Sequence, residues 1–237
     1  MADKKTYVIT VNGPGSSGKS SAALEVAKSL GFSFLSTGNV YRSYAWALQK
    51  EGISNFTKEA SIKVMEKYEF QYFGKAVLYK GKDIANDIGY EELAFKTAHL
   101  ARKPWYRTWI NQNVILPFIN NKSIVMEGRG LTEIVANPSI DFFLKSTIFA
   151  RANRRLRQYK KRYGVENVTL DTIYKQIARR DELDTNRKIA PLKPLPTSKV
   201  INNSMIKRID TVRRMLSVIH KRFPELKIDW DIPGSIK

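Results

Sequence analysis

One stretch leaves this chain little freedom: Gly13-Pro14-Gly15-Ser16-Ser17-Gly18-Lys19-Ser20. The apolar run Tyr7-Val8-Ile9-Thr10-Val11 precedes it, and a segment of helical composition, Ser21 to Leu30, follows. Strand, glycine-rich loop and helix in that order are the setting in which the pattern forms a phosphate-binding loop. Glycines let successive backbone N–H groups turn inward, and the start of the next helix adds partial positive charge where phosphates would sit. Lys19 is then placed to reach the β- and γ-phosphates of ATP, and Ser20 to offer its hydroxyl to Mg²⁺, directly or through water. The expected ATP-binding run is Gly13, Pro14, Gly15, Ser16, Ser17, Gly18, Lys19, Ser20 and Ser21.

The rest of the chain keeps an alternating rhythm. Gly31 is placed as a helix stop, Phe32 to Leu35 reads as a short buried strand, and Thr37 can cap a helix running toward Gln49. That helix has an apolar face of Val40, Tyr44, Ala47 and Leu48. Arg42 lies off this face, just beyond a strand end, which favours contact with a phosphate. Residues 57 to 67 are helical by composition, and Glu69 to Tyr72 and Ala76 to Tyr79 read as two strands around Gly74-Lys75. Glu91 to Ile115 is a long amphipathic helical stretch interrupted near Pro104. Arg107, just after that break, reads by itself as structural.

Ser123 to Gly128 is a buried strand that ends in an acid, which with a phosphate loop present gives Glu127 or Arg129 a role at the site, Glu127 as a carboxylate near the metal. Ile140 to Leu144 is the next strand. Thr147 can cap a basic helix to Tyr163, ended by Gly164. Leu170 to Arg180 is helical, and Arg179 to Arg187 follows without an apolar period. Ala190 to Pro196 must be extended. Lys199 to Asn202 is a last strand and Lys207 to Arg222 a last helix, with Ile209, Val212, Met215, Leu216 and Ile219 on one face. The tail from Phe223 is expected to dock on the surface.

This pattern is α/β: a P-loop NTPase core with a mainly parallel sheet covered by helices on both faces. The 237 residues and 43% hydrophobic content suit a single domain with two excursions from the core. One, about 55–105, is an acceptor-binding insertion; the other, about 155–188, is an arginine-rich lid. The absence of cysteine excludes disulfides and thiolate metal ligands, and His99 and His220 are too few for a zinc site, so any metal is expected to be held by oxygen. Forty-one basic against 22 acidic residues give a net charge of +19. The lysines are scattered, but the arginines gather at Arg151, Arg154, Arg155, Arg157 and Arg162 and at Arg179, Arg180 and Arg187. Such grouping fits an enzyme that must stabilise transferring phosphate. No apolar run reaches the roughly 18 residues of a membrane span, and the N-terminus lacks a signal-peptide pattern. The expectation is a cytoplasmic monomer with no membrane or nucleic-acid partner.

The chain resembles the bacterial cytidylate kinases over nearly its whole length. The resemblance rests on Gly13 through Ser21, Thr37-Gly38 with Tyr41-Arg42, Gly81-Lys82-Asp83-Ile84, Glu127-Gly128-Arg129, and Arg180-Asp181 with Asp184, Asn186-Arg187 and Ala190-Pro191-Leu192. It implies ATP and CMP or dCMP as substrates and Mg²⁺ as cofactor. Arg42, Arg129 and Arg187 would hold the acceptor phosphate, Arg180 and Asp184 the ribose and Arg107 the cytosine, with Thr37 in the acceptor site. Arg154 and Arg155 would embrace ATP. Catalysis would fall to Lys19, Arg129, Arg180 and Arg187, and metal binding to Ser20 and Glu127.

Four positions depart from the family pattern. Ser36 and Glu127 stand where aspartates are usual, Ala98 where a serine helps to read the base, and Gly130 where an aspartate accepts from the cytosine amino group. Either Glu133 replaces that acceptor or discrimination between cytosine and uracil is relaxed. Two further readings are a P-loop protein that binds nucleic acid and a kinase of a small metabolite such as shikimate.

Overall fold

The computed structural model describes residues 5–163 and 168–233. Its centre is a five-stranded parallel sheet. β1 (Val8–Asn12) is flanked by β6 (Ile124–Gly128) and β7 (Ile140–Lys145), with β2 (Ser33–Ser36) outside β6 and β8 (Lys199–Asn202) outside β7. The order is β2-β6-β1-β7-β8, and every pairing is parallel, Val11 lying opposite Glu127 on one side and Phe142 on the other. A parallel sheet needs cover on both faces, and strand alternation supplies two apolar surfaces. Ile9, Val11, Val125, Phe142 and Leu144 pack beneath α1 (Lys19–Leu30) and α9 (Arg208–Arg222). Ile124, Met126 and Leu35 pack beneath α2 (Thr37–Lys50) and the helices that follow it.

The first excursion contains α3 (Lys58–Met65), a small antiparallel sheet of β3 (Gln71–Phe73), β4 (Ala76–Tyr79) and β5 (Lys82–Asp83), and α4 (Glu91–Leu100). Strand β5 is an addition to the sequence reading. Lys80 and Gly81 both have positive φ, 49° and 76°, the geometry of a tight two-residue hairpin turn. Pro104 breaks the long helical stretch as expected and opens α5 (Pro104–Ile110), which continues as a π-helical turn at Asn111–Ile115 into α6 (Leu116–Ile119).

The second excursion is a helical pair, α7 (Ile148–Tyr163) and α8 (Leu170–Asn186). Ala152, Ile173 and Ile177 form a small core between them. Thr147 caps α7 by accepting from the Ala150 N–H at 3.2 Å; the Gly164 stop lies outside the described residues.

Two local readings are corrected. Ser36, one residue before Thr37, caps α2, its hydroxyl accepting from the Asn39 N–H at 3.4 Å. The polar run after Arg180 is not irregular: α8 continues through it to Asn186. The tail docks by a hydrogen bond from the Asp229 N–H to the Ser29 carbonyl and by burial of Ile232.

Candidate active site

At the carboxyl end of β1 the chain turns through the phosphate loop into α1. Gly13 has φ 152°, and a Cβ there would lie 2.7 Å from the Leu144 carbonyl oxygen, so the loop can lie against the end of β7 only as glycine. Gly18, at φ 85°, opens α1. Lys19 folds back over the loop. Its Nζ donates to the Pro14 carbonyl at 3.2 Å and stands 3.8 Å from Glu127 Oε2 at the end of β6. Burial lowers the Lys19 pKa from 10.5 to about 8; Glu127 opposes the shift, while Arg129 and Arg180 add to it. Glu127 also accepts from the Ser36 hydroxyl, and its carbonyl accepts from Thr37 Oγ1 at 3.0 Å. The carboxylate is thereby fixed on the loop side of the sheet.

Beside the loop, with Arg129 reaching over Gly15, lies a group of buried guanidiniums. Asp184 on α8 has Arg129 Nε at 3.1 Å, Arg187 Nη1 at 3.5 Å and Arg180 Nε at 4.0 Å. Three cations around one anion leave a net charge of about +2. Burial, followed by the neighbouring cations, pushes the pKa of Arg180 down and, with Arg107 foremost among those neighbours, that of Arg187 to about 10. Arg129 Nε, Arg180 Nε and Asp184 Oδ2 are buried and, although ion-paired, make no well-aligned hydrogen bond among the described residues. Buried polar atoms are seldom left so, and here they face a cavity.

Arg107 is 3% exposed. Its Nε and Nη2 both donate to Glu133 Oε2, and its guanidinium lies 5.5 Å from the centre of the Tyr41 ring. Tyr41 is held in turn by Asn111, whose Oδ1 accepts from its hydroxyl at 2.9 Å. Asn111 opens the π-helical turn, a distortion often found beside functional sites. Gly130 cannot carry an acid in this backbone. Its φ is 71°, and a Cβ would lie 2.7 Å from Ala190 Cβ and 2.8 Å from an Arg187 nitrogen. Glu133, three residues on, is the acid that meets Arg107.

Most of these groups border one cavity of about 1310 Å³; Glu133 and Asn111 stand behind its lining, touching it through Arg107 and Tyr41. Of the expected ATP-binding residues, Ser16, Ser17, Gly18, Lys19, Ser20 and Ser21 line it, as do Arg154 and Arg155. Thr37, Arg42, Arg107, Glu127, Arg129, Arg180, Asp184 and Arg187 line it as well. Gly13, Pro14 and Gly15 do not; they stand behind the loop and shape it.

Arg154 spends its guanidinium on protein groups, donating to the Ser17 carbonyl at 3.5 Å and to Asn203. Three contributors were not among the expected site residues. Arg151 is buried, donates to the Gly15 carbonyl at 3.1 Å and pairs with Asp181 on α8. Asn203 Nδ2 donates to the Ser17 carbonyl at 2.7 Å. Glu91, at the start of α4, pairs with Arg155. Arg151 stood out in the sequence only as one of an arginine cluster, and Asn203 and Glu91 carry no local signal.

Among the described residues no helix is long and apolar enough to cross a membrane, and no three His, Cys, Asp or Glu are grouped to hold a metal. A metal here would therefore have few protein ligands. Ser20 and Glu127 supply oxygens beside the phosphate loop, a donor set that suits Mg²⁺, which keeps most of its water and takes its remaining ligands from substrate phosphates.

The cytidylate kinase family model matches residues 9–221. The cytidylate kinase of Thermotoga petrophila is 31% identical over 218 residues, covering 91% of this chain and 98% of the relative. That of Neisseria gonorrhoeae is 32% identical over 217 residues, covering 90% and 97%. Likeness to solved structures is looser: a gluconokinase from Sinorhizobium meliloti has 14% identity and a TM-score of 0.47 over 91% of this chain and 92% of that one. The fold assignment stands on the strand order and the phosphate loop.

Proposed function

Because this chain belongs to the cytidylate kinase family, and is on that ground a nucleoside monophosphate kinase, we propose that it transfers the γ-phosphoryl group of ATP to CMP or dCMP. The observation that carries this reading is the pairing of two anion sites in one cavity: the phosphate loop with Lys19, and next to it the guanidiniums of Arg129, Arg180 and Arg187. An oxygen of the acceptor phosphate attacks the γ-phosphorus while the bond to the β-phosphate oxygen breaks and ADP leaves. Negative charge spreads over the transferring group, and positioned cations stabilise it.

Lys19 and the N-terminus of α1 take the donor phosphates. Arg42, Arg129 and Arg187 take the acceptor phosphate, and Thr37 stands beside it. Arg180 and Asp184 face the ribose. Arriving anions relieve the cation crowding that burial imposes on Arg180 and Arg187, so binding energy concentrates where the chemistry occurs. When bound, Mg²⁺ neutralises phosphate charge, and Ser20 and Glu127 would hold it.

Arg107 and Glu133 read the base. Side by side they offer a donor and an acceptor, the complement of the ring nitrogen and exocyclic amine on one edge of cytosine. Uracil presents the reverse order there. Glu133 is partly exposed, at 29%, and is fixed by the buried Arg107; an acceptor so placed and left unpaired is what would reject the wrong base.

The test is ADP release with ATP and Mg²⁺ against CMP, dCMP, UMP, AMP and GMP, repeated with Glu133→Gln. The proposal expects CMP and dCMP to lead, UMP to trail by at least about 10-fold, and Glu133→Gln to close most of that gap. Equal rates with CMP and UMP in the unaltered protein would overturn the base reading. A CMP preference that survives Glu133→Gln would move the reader to another group.

A further inference from the structure

One ion pair joins the acceptor insertion to α7 at the edge of the cavity. Glu91, the first residue of α4 in the acceptor insertion, meets the guanidinium of Arg155 on α7, and both side chains are largely buried, at 16% and 17% exposure. The Tyr159 hydroxyl, one turn further along α7, donates to Glu91 Oε2 at 3.4 Å. At the same time Arg155 Nη1 donates to Ser16 Oγ of the phosphate loop at 3.3 Å. One guanidinium thus joins three parts of the molecule: loop, lid helix and acceptor insertion. Its Nε is buried without a hydrogen-bond partner among the described residues.

We infer that Glu91 is a positioning residue that sets Arg155 over the phosphate loop and so ties donor binding to the acceptor. This rests on the reading of the cavity as a joint donor and acceptor site. Helix α4 brings Ala94, Thr97 and Ala98 to the acceptor wall and carries Glu91 at its leading end. A helix of 10 residues moves as a rod about 15 Å long. Whatever settles the acceptor against Ala94, Thr97 and Ala98 therefore also settles Glu91, and through it Arg155.

Elsewhere α4 packs against α8, where Arg179 lies 6.0 Å from the centre of the Phe95 ring, without a second ion pair between them among the described residues. A partly desolvated ion pair has more to contribute than one in open solvent. The consequence is coupling: the acceptor tightens the donor, and by linkage the donor tightens the acceptor by the same factor. Such coupling limits donor loss to water when no acceptor is bound.

The experiment is calorimetric titration of a non-hydrolysable ATP analogue with and without saturating CMP, on the unaltered protein, Glu91→Gln, Arg155→Lys and the double variant. Unaltered protein should bind the analogue at least about fivefold tighter with CMP present. Glu91→Gln should reduce that factor to about one while leaving CMP affinity alone within about twofold, and Arg155→Lys should add nothing to Glu91→Gln, as expected of two groups acting through one contact. A merely structural role would lower thermal stability and both affinities without touching the coupling factor. The inference is overturned if the unaltered protein shows no coupling or if Glu91→Gln retains it. Failure of the unaltered protein to bind CMP at all would overturn the underlying acceptor reading, and this inference with it.

Discussion

Lys19 keeps its charge against its surroundings. A pKa lowered from 10.5 to about 8 corresponds to on the order of 3 kcal/mol against the charged form. The sign follows from linkage. Between about pH 8 and 10.5 the unfolded chain holds the proton that the folded protein has released, so this lysine's penalty is complete below about 8 and fades as pH rises through that window. Lys19→Met should therefore raise the thermal midpoint at neutral pH while abolishing turnover. For the intact enzyme, kcat/KM for ATP, which reports the free protein, should fall along a limb with an apparent pKa near 8. The limb of kcat should lie higher, because bound triphosphate favours the ammonium. Rate measurements from pH 6 to 10 decide it, and a kcat/KM that stays flat to pH 9.5 contradicts this account of Lys19. The loop that carries Lys19 was plain in the sequence because its chemistry is local. The Glu91–Arg155 and Arg151–Asp181 pairs span 64 and 30 positions, and neither spacing leaves a local pattern.

At the scale of elements, strands and helices followed from apolar periodicity wherever the buried face was apolar. Helix α8 shows the limit. Its buried residues toward the C-terminal end are Arg180 and Asp184, not aliphatics, so the period that marks a helix disappears just where the site begins. Helix α7 hid a different choice, since spacings of three and four residues gather Arg151, Arg154 and Arg155 on one face. Only packing assigns one to the Gly15 carbonyl, one to Asn203 and one to Glu91. The pair α7–α8 shares a core of three fully buried residues and a few partly buried neighbours, too little to hold it shut by itself, and we propose that it acts as the lid. Opening should then be local and inexpensive. Amide exchange in 155–163 and 170–186 should slow when an ATP analogue and CMP bind together, with the parallel sheet unchanged. Equal exchange in the presence and absence of both ligands would mean that the pair is a fixed wall.

For the whole molecule, the sheet order places the phosphate loop, Glu127 and Arg129 at adjacent strand ends; the second excursion brings Arg155, Arg180 and Arg187 to that point, and the first brings Ala94, Thr97 and Ala98. Fold class was legible early, because a strand, a glycine loop and alternating elements admit few topologies. The proposed base site was less so. Gly130 removed the expected acid, and only the packing of Ala190 and Arg187 shows that no side chain fits there and that Glu133 has come to Arg107 instead. Part of the net charge of +19 is gathered at one cavity, where Arg42, Arg107, Arg129, Arg180 and Arg187 meet. The central claim is phosphoryl transfer from ATP to a cytosine nucleotide, and the most direct test is competition. ATP with Mg²⁺ is incubated with equal CMP and UMP, and the products are followed by phosphorus NMR. The account predicts CDP appearing one for one with ADP and in clear excess over UDP; ADP accumulating with inorganic phosphate, and no CDP, would contradict it.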